Sequence, residues 1–579
     1  MPIADLAPRR IGGSRPVLWA IFLTLLVAAP WLPAGYIFGT DWPGPRRFDF
    51  PTVVSNSAAL ETILTAVSRV ANGELTGKLF VFGLLFAAAL MAFRAAPVDG
   101  FVPRAVASTL YVFNPFVFGR LHYGQLFVLG GYALLPWVAI RLRALLVQPT
   151  VKTGLLLALS LALVGVVSTH TFLIAGALVT ALLVTHLFAA AKPFDYLFRA
   201  GRSVVIAAVA TLVVSSYWIV PLLLGRGPIA QAVGGFPTTD LRVFAAVPDR
   251  QLGLIPNLLG LYGFWAESSG RFTSMKAFVP IWPVLLGLML LVAAIGAAWA
   301  FRQRQLRLGA WVAGLLLAAA IALILEMGVS SPATRGFVTW LDANIPLYRG
   351  MRDAGKWAAL LALVYSQLIG LGTAAILGWI RSHPRAAPAT AWLGTVAAGL
   401  LLVLPLYYGN GLLFGMHGEI KPSQYPSGWY AADRLLNSDP HPGRALFLPW
   451  HEYMSYSFIQ NQNSIVASPA PAFFSIPVLV SADPEVTGTP PPTDPAQVAI
   501  TALVSAGNQG DWASVLTNLN IKYVLLARDG DWLNFRFLDT QAGLAKVADF
   551  GSIVLYRNEG LVQARAPSGA AQMSLFVGR

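Results

Sequence analysis

Cysteine is absent from the 579-residue sequence, which excludes disulfides and thiolate metal sites at once. Charge is scarce too: Asp, Glu, Lys and Arg make up 11% of the chain, against about 25% in soluble globular proteins. Histidine occurs seven times. There is no HExxH, no GxGxxG and no serine–histidine nucleophile context. Zinc, nucleotide-cofactor and hydrolase chemistries therefore find no support. No segment repeats at a fixed period. A transporter or flippase for lipid-linked glycans would be expected to show matching halves and mid-membrane charges. The sequence offers neither, and that class ranks below an enzyme.

Apolar residues supply 56% of the chain, and the mean hydropathy is +0.64. Runs of 18 or more apolar residues, roughly the number that spans a bilayer core, recur along it. They predict a mainly α, polytopic helical membrane protein with about eleven spans. The spans fall near 17–39, 78–95, 102–118, 125–140, 154–170, 171–190, 203–224, 278–300, 308–327, 357–379 and 389–409. The first run is longer than a signal-peptide core and has no small-residue cleavage site, so a retained anchor is expected.

The formal net charge of +14 raises the question of nucleic acid. Its distribution answers it. Lys and Arg gather in alternate loops: Arg9, Arg10 and Arg15; Arg94 and Arg104; Arg141, Arg143 and Lys152; Lys192, Arg199 and Arg202; Arg302, Arg304 and Arg307; Arg381 and Arg385. That is the bias of cytoplasmic loops. It predicts a multi-pass membrane protein with its N-terminus in the cytoplasm, and membrane lipids rather than nucleic acid as its surroundings.

The other loops are longer and chemically mixed. The loop 40–77 opens within "GTDWPGPRRFDFP" (39–51) and goes on to a stretch amphipathic at helical spacing, as expected of a helix lying at the interface. From about 411 charges and turn signals return, with β-like "RALFLPW", "IKYVLLA" and "SIVLYRN" and helical "AQVAITALVSAGNQ" and "WASVLTNLN". The expected division is a transmembrane catalytic domain over 1–410 and an extracytoplasmic α/β domain over 411–579.

Asp41 and Asp49 stand in the first outer loop, where a Trp42-Pro43-Gly44 turn is expected to aim Asp41. The plain alternative is a helix-end cap or a solvated loop acid. Arg46 and Arg47 read as charges facing lipid head groups. "GMRDAGK" (350–356) fits a phosphate loop in letters only: Trp357 replaces the Ser/Thr and no strand precedes it. Arg349, Arg352 and Lys356 nevertheless stand where a loop enters a helix, and such an end favours an anion. They are candidates for a phosphate clamp, or else an interfacial cluster paired with Asp353. His170, and His122 beside Arg120, sit at outer turns as ionisable groups near the membrane. They are donor-site candidates or ordinary turn histidines. Asp240, Asp249 and Glu267 line another outer loop as candidate acceptor contacts. The aromatic "LPWHEYMSYSF" (448–458) suits sugar stacking, as in a non-catalytic glycan-binding scaffold, or a domain core.

In layout the whole chain resembles the GT-C superfamily of polytopic glycosyltransferases. These have about eight to thirteen spans, an interfacial helix in the first outer loop and often a soluble outer domain. The match at "GTDWPGP" implies a catalytic acid at Asp41, with Asp49 as second choice. "YVFNPFVFGRLHYGQLFVLGGYALLPW" (111–137) and "IKYVLLARDGDW" are similar to mycobacterial arabinofuranosyltransferases with GT-C cores and to Gram-positive membrane enzymes that glycosylate teichoic acids. The resemblance implies an inverting transfer from a polyprenyl-phosphate sugar to a cell-envelope glycan or glycolipid acceptor. No cofactor is called for, since such donors often do without a metal, and a divalent cation stays open.

Overall fold

The computed structural model describes residues 13–190, 193–269, 272–303, 306–345, 348–382, 387–461, 465–486 and 489–561. Arg9, Arg10, Lys192, Arg304 and Arg385, part of the orientation argument, lie outside the described residues. The chain forms two compact units, one of residues 1–33 with 48–421, the other of 34–47 with 422–579. The start of the first outer loop thus folds with the tail, and the helical unit extends to Lys421.

Among the described residues, seven helices of the first unit are long and apolar enough to cross a membrane: Ala58–Ala95, Leu126–Val147, Thr169–Phe188, Pro193–Val214, Trp282–Arg302, Arg307–Met327 and Ala354–Ser382. The bent pair Trp392–Tyr408 and Asn410–His417 adds an eighth, and Arg15–Trp31 and Val151–Val167 are shorter apolar helices. The unit is that of a multi-pass membrane protein. The apolar stretch at 102–118 is divided into helices Phe101–Val112 and Pro115–His122. Pro115 disfavours the helical conformation in the residue before it and suits a first helical turn. Asn114 then caps the new helix, its side chain accepting from the Val117 N–H at 3.1 Å.

The helix Ala58–Ala95 is 38 residues long, about 57 Å at 1.5 Å per residue and well beyond a hydrocarbon core of roughly 30 Å. It breaks at Asn72, whose φ is 59° and ψ 170°. The Asn72 side chain accepts from the Leu75 N–H at 2.9 Å and so restarts the helix. Before the break, Ile63, Val67 and Val70 are exposed apolar side chains, as an interfacial helix requires. The almost wholly buried helix Ala358–Ser382 packs tightly against Trp282–Arg302. A Cβ on Gly372 would lie 1.9 Å from the Val292 carbonyl oxygen, and one on Gly296 2.3 Å from that of Leu368. Small residues let membrane helices pack backbone to backbone.

The second unit is built on a mixed five-stranded sheet. Its strands come from β1 (Arg444–Leu448), β4 (Val478–Leu479), β5 (Ile521–Ala527), β6 (Leu544–Asp549) and β7 (Ile553–Asn558), in the order β4-β1-β5-β7-β6. β1 runs parallel to β4 and β5, and β7 antiparallel to β5 and β6. Two more strands, β2 (Tyr453–Met454) and β3 (Val466–Ala467), form a separate ladder. Period-two alternation sends Ala445 and Phe447 of β1 into one core, and Leu446 and Leu448 into the other. The first core is strongly aromatic, with Trp429, Tyr425, Phe473 and Phe474, and it takes in Tyr36 and Phe38 from the inserted segment.

Candidate functional site

The segment 34–47 is tied to its unit along its whole length. Tyr36 and Ser423 exchange two backbone hydrogen bonds of 2.8 and 2.9 Å, and Ala467 N–H donates to the Thr40 carbonyl at 2.8 Å. The Tyr425 hydroxyl lies 3.0 and 2.8 Å from the Pro43 and Gly44 carbonyls. Arg46 does not stand free as an interfacial charge. It donates to the buried Asp433 at 2.7 Å and lies over the Phe473 and Tyr430 rings.

The reverse turn that presents Asp41 closes earlier than "Trp42-Pro43-Gly44". It runs from Gly39 to Trp42, which exchange bonds of 2.9 and 3.1 Å, with Asp41 inside the turn. Gly44 follows at a φ of +58°, against the Phe38 ring, where a Cβ would sit 2.6 Å from it. Asp41 is half-buried, and its Oδ1 accepts from the Tyr453 hydroxyl at 3.0 Å. Glu452 stands next to that tyrosine. Burial, then the charge of Asp41, pushes the Glu452 carboxyl up to about 7, while a hydrogen bond with Tyr453 works the other way. A carboxylate pair whose second member resists ionisation is a hallmark of acid–base sites. The sequence showed Glu452 inside "WHEY" but nothing that linked it to Asp41. Trp450, Met454 and Tyr456 of the same stretch are core residues. Asp49 belongs to the helical unit and is exposed, its carbonyl accepting from Thr65 at 2.9 Å.

The remaining sequence candidates all lie in the helical unit, and most are paired. Arg352 makes an ion pair with Asp240 and lies 3.5 Å from the centre of the Phe236 ring. Arg349 forks onto Asp342 at 3.0 and 3.2 Å. Asp353 pairs with Arg120, which also donates to Gln125 at 2.6 Å and stacks on Phe264 at 4.5 Å. Burial opposes the charge on Asp353, yet Arg120 and Lys356 hold its carboxyl below the usual range. Lys356 is buried in the turn Ala354–Trp357. His170 shares a hydrogen bond of 3.0 Å with the Gly350 carbonyl, and His122 lies 3.6 Å from Glu419.

Asp249 caps the turn at Gln251 and Leu252 and binds Lys276 at 2.8 Å. Burial works against its charge, but Lys276 and those N–H groups bring the carboxyl down to about 2. Glu267 behaves differently: burial raises it despite Lys276. It lines a small cleft with Arg120, Gly355 and the rings of Phe116, Phe264 and Phe272. The sequence reading missed Glu326, near the end of the span Arg307–Met327. It is fully buried, and neither carboxyl oxygen has a hydrogen-bond partner among the described residues. The charges of Arg120 and Asp353 act on it. Among the described residues, no group of three or more His, Asp or Glu is arranged to hold a metal ion.

No family model matches the sequence, and no curated protein does. Solved structures match the fold. The arabinofuranosyltransferase AftD from mycobacteria superposes with a TM-score of 0.61 over 95% of this chain, at 17% sequence identity. The fold is GT-C-like. A mutant form of the same AftD gives a TM-score of 0.59, again at 17% identity over 95% of this chain. This chain spans 40% and 42% of those two, about two-fifths of their length. Identity this low carries the fold, while the activity must be argued from the residues.

Proposed function

We propose that the chain is an inverting membrane glycosyltransferase. It moves a sugar from a polyprenyl-phosphate donor to a glycan or glycolipid acceptor of the cell envelope, with Asp41 as general base. The observation that carries this reading is the half-buried Asp41, presented by a closed turn and hydrogen-bonded to Tyr453, in a chain of GT-C-like fold. As the acceptor oxygen bonds to the anomeric carbon, its proton passes to Asp41. The anomeric C–O bond to phosphate breaks with its electron pair, leaving a lipid phosphate. General base help of this kind is worth about 10²–10⁴-fold in rate.

Charge grows on the departing phosphate and calls for cations. Arg352 and Lys356 remain our clamp, with Arg349, Arg120, His170 and His122 around them. Arg352 suits the role because its side chain keeps 27% of its surface exposed while stacked on an aromatic ring. For the acceptor we favour Glu267, because its carboxyl resists ionisation beside aromatic rings. Asp240 and Asp249 act mainly as partners of Arg352 and Lys276. The orientation proposed is N-terminus in the cytoplasm and residues 422–579 outside, from the loop arginines and lysines.

The test is a mass spectrum of envelope glycans and lipid-linked sugars from cells with and without the gene. Loss of one glycan species together with accumulation of a polyprenyl-phosphate sugar is expected. Identical spectra would overturn the reading.

A further inference from the structure

Beyond the spans, a helix of the helical unit turns an apolar face away from the protein. Pro332–Asn344 buries Thr334, Val338 and Asp342 on one side. On the other, Ala333, Phe337 and Trp340 recur at the i, i+4, i+7 spacing of a helix face, flanked by Gly336 and Ala343. All five are exposed, Phe337 at 49% and Trp340 at 53%. Arg335 and Thr339 stand exposed along one edge of that face. The arrangement is the reverse of a soluble amphipathic helix, whose apolar stripe turns inward.

Its place in the chain says what covers that face. Only residues 328–331 separate it from the span Arg307–Met327, and the Thr334 hydroxyl donates back to the Gly328 carbonyl at 2.7 Å. The next span, Ala354–Ser382, starts beside the end of that one: a Cβ on Gly328 would lie 3.3 Å from that of Ala354. With 13 residues the helix is about 20 Å long, too short to cross a hydrocarbon core of roughly 30 Å. It therefore lies along the membrane face that both spans reach. Water is a poor neighbour for Phe and Trp on successive turns, and the bilayer supplies the apolar phase at that level. Trp favours this boundary, and Arg335 suits the phosphates of anionic lipids beside it.

We propose that Pro332–Asn344 is an interfacial anchor, which sinks Phe337 and Trp340 into the lipid and so sets Arg349 and Arg352 at the level of the lipid phosphates. The second half rests on the reading of those arginines as part of the donor clamp. The link runs through the buried face. Asp342 accepts the fork of Arg349 at 3.0 and 3.2 Å, and Arg349 also donates to the Phe236 carbonyl at 3.3 Å. The Arg352 N–H donates to the Arg349 carbonyl at 3.2 Å, which places the second cation directly after the first. A polyprenyl phosphate lying in the leaflet presents its phosphate at that depth, so the clamp meets it without lifting the chain out of the lipid.

The absence of cysteine makes the test clean. Phe337→Cys, Trp340→Cys and, at mid-span, Leu291→Cys each give a single site for an environment-sensitive fluorophore on the full chain, reconstituted in vesicles of phosphatidylglycerol and phosphatidylethanolamine. Leu291 is an exposed side chain of the span Trp282–Arg302. The labels in Phe337→Cys and Trp340→Cys should be quenched more by lipids carrying the quencher near the head of the acyl chain than near its end. The label in Leu291→Cys should show the opposite order. Labels on the helix that ignore both quenchers would overturn the anchor, whether water or a second protein covers the face. The consequence for the clamp is read by Phe337→Ser combined with Trp340→Ser. KM for a long-chain donor in the vesicle should rise on the order of tenfold, with kcat and the KM of a short, water-soluble donor unchanged. Phe337→Leu combined with Trp340→Leu should restore it. No rise, or an equal rise for both donors, would break the link to the clamp. Quenching without any sugar transfer would sink the functional reading and leave the anchor standing. Transfer without quenching would do the reverse.

Discussion

Arg120 is held on several sides within the helical unit. Its guanidinium is 2% exposed, paired with Asp353, bonded to Gln125 and stacked on Phe264. Removing one member of a buried pair leaves the other charge uncompensated, which costs about 3–5 kcal/mol. Arg120→Ala should therefore lose about that much in equilibrium unfolding of the purified protein in detergent, and Asp353→Asn should also destabilise. The double variant should lose less than the sum of the singles. An Arg120→Ala protein as stable as the parent would remove the ion pair from the structure's support. The sequence marked Arg120, Arg352 and Asp240 as candidates because each is a charge beside the membrane. It could not pair them, since the partners lie in different loops and hydrogen-bond geometry has no signature along a chain. Glu326 was visible as one acid closing an apolar run, and its isolation is a property of packing alone.

Elements were legible where the apolar pattern was strong. β1, β5 and β7 fall on the three expected β-like runs, because both faces of each are largely covered and most of their residues are apolar. β6 went unseen: it is an edge strand with Lys546 and Asp549 within it, side chains that suit an open edge and blur alternation. The passage from interfacial helix to span was expected near 77–78 and falls at Asn72, which looks like any polar residue of an amphipathic stretch. Its backbone lies in a region tolerated chiefly by glycine, at a cost of about 1–3 kcal/mol. Its cap can be given up to glycine for a few tenths of a kcal/mol. Asn72→Gly should thus be at least as stable as the parent, while Asn72→Ala, which loses the cap and keeps the strain, should be less stable by about 1 kcal/mol. Thermal unfolding in detergent reads both. Alanine outperforming glycine would mean that the helix runs unbroken through 72.

At the scale of the molecule, composition announced a polytopic membrane protein, while the orientation drawn from the loop charges belongs to the proposal. The return of an inserted piece, 34–47, to a unit formed almost 400 residues later was not announced. It depends on Tyr36 and Phe38 filling an aromatic core whose other members lie beyond residue 422. That insertion gives Asp41 a fixed turn and a tyrosine partner, and leaves Asp49 in the other unit with an exposed side chain. The decisive measurement is sugar transfer by purified Asp41→Asn, with a polyprenyl-phosphate sugar and an envelope glycan acceptor. Asparagine keeps the shape and removes the proton acceptor. Turnover should fall by about 10²–10⁴-fold with donor binding retained, and Asp49→Asn should stay within a few-fold of the parent. Near-normal transfer by the Asp41 variant would contradict its role as the base.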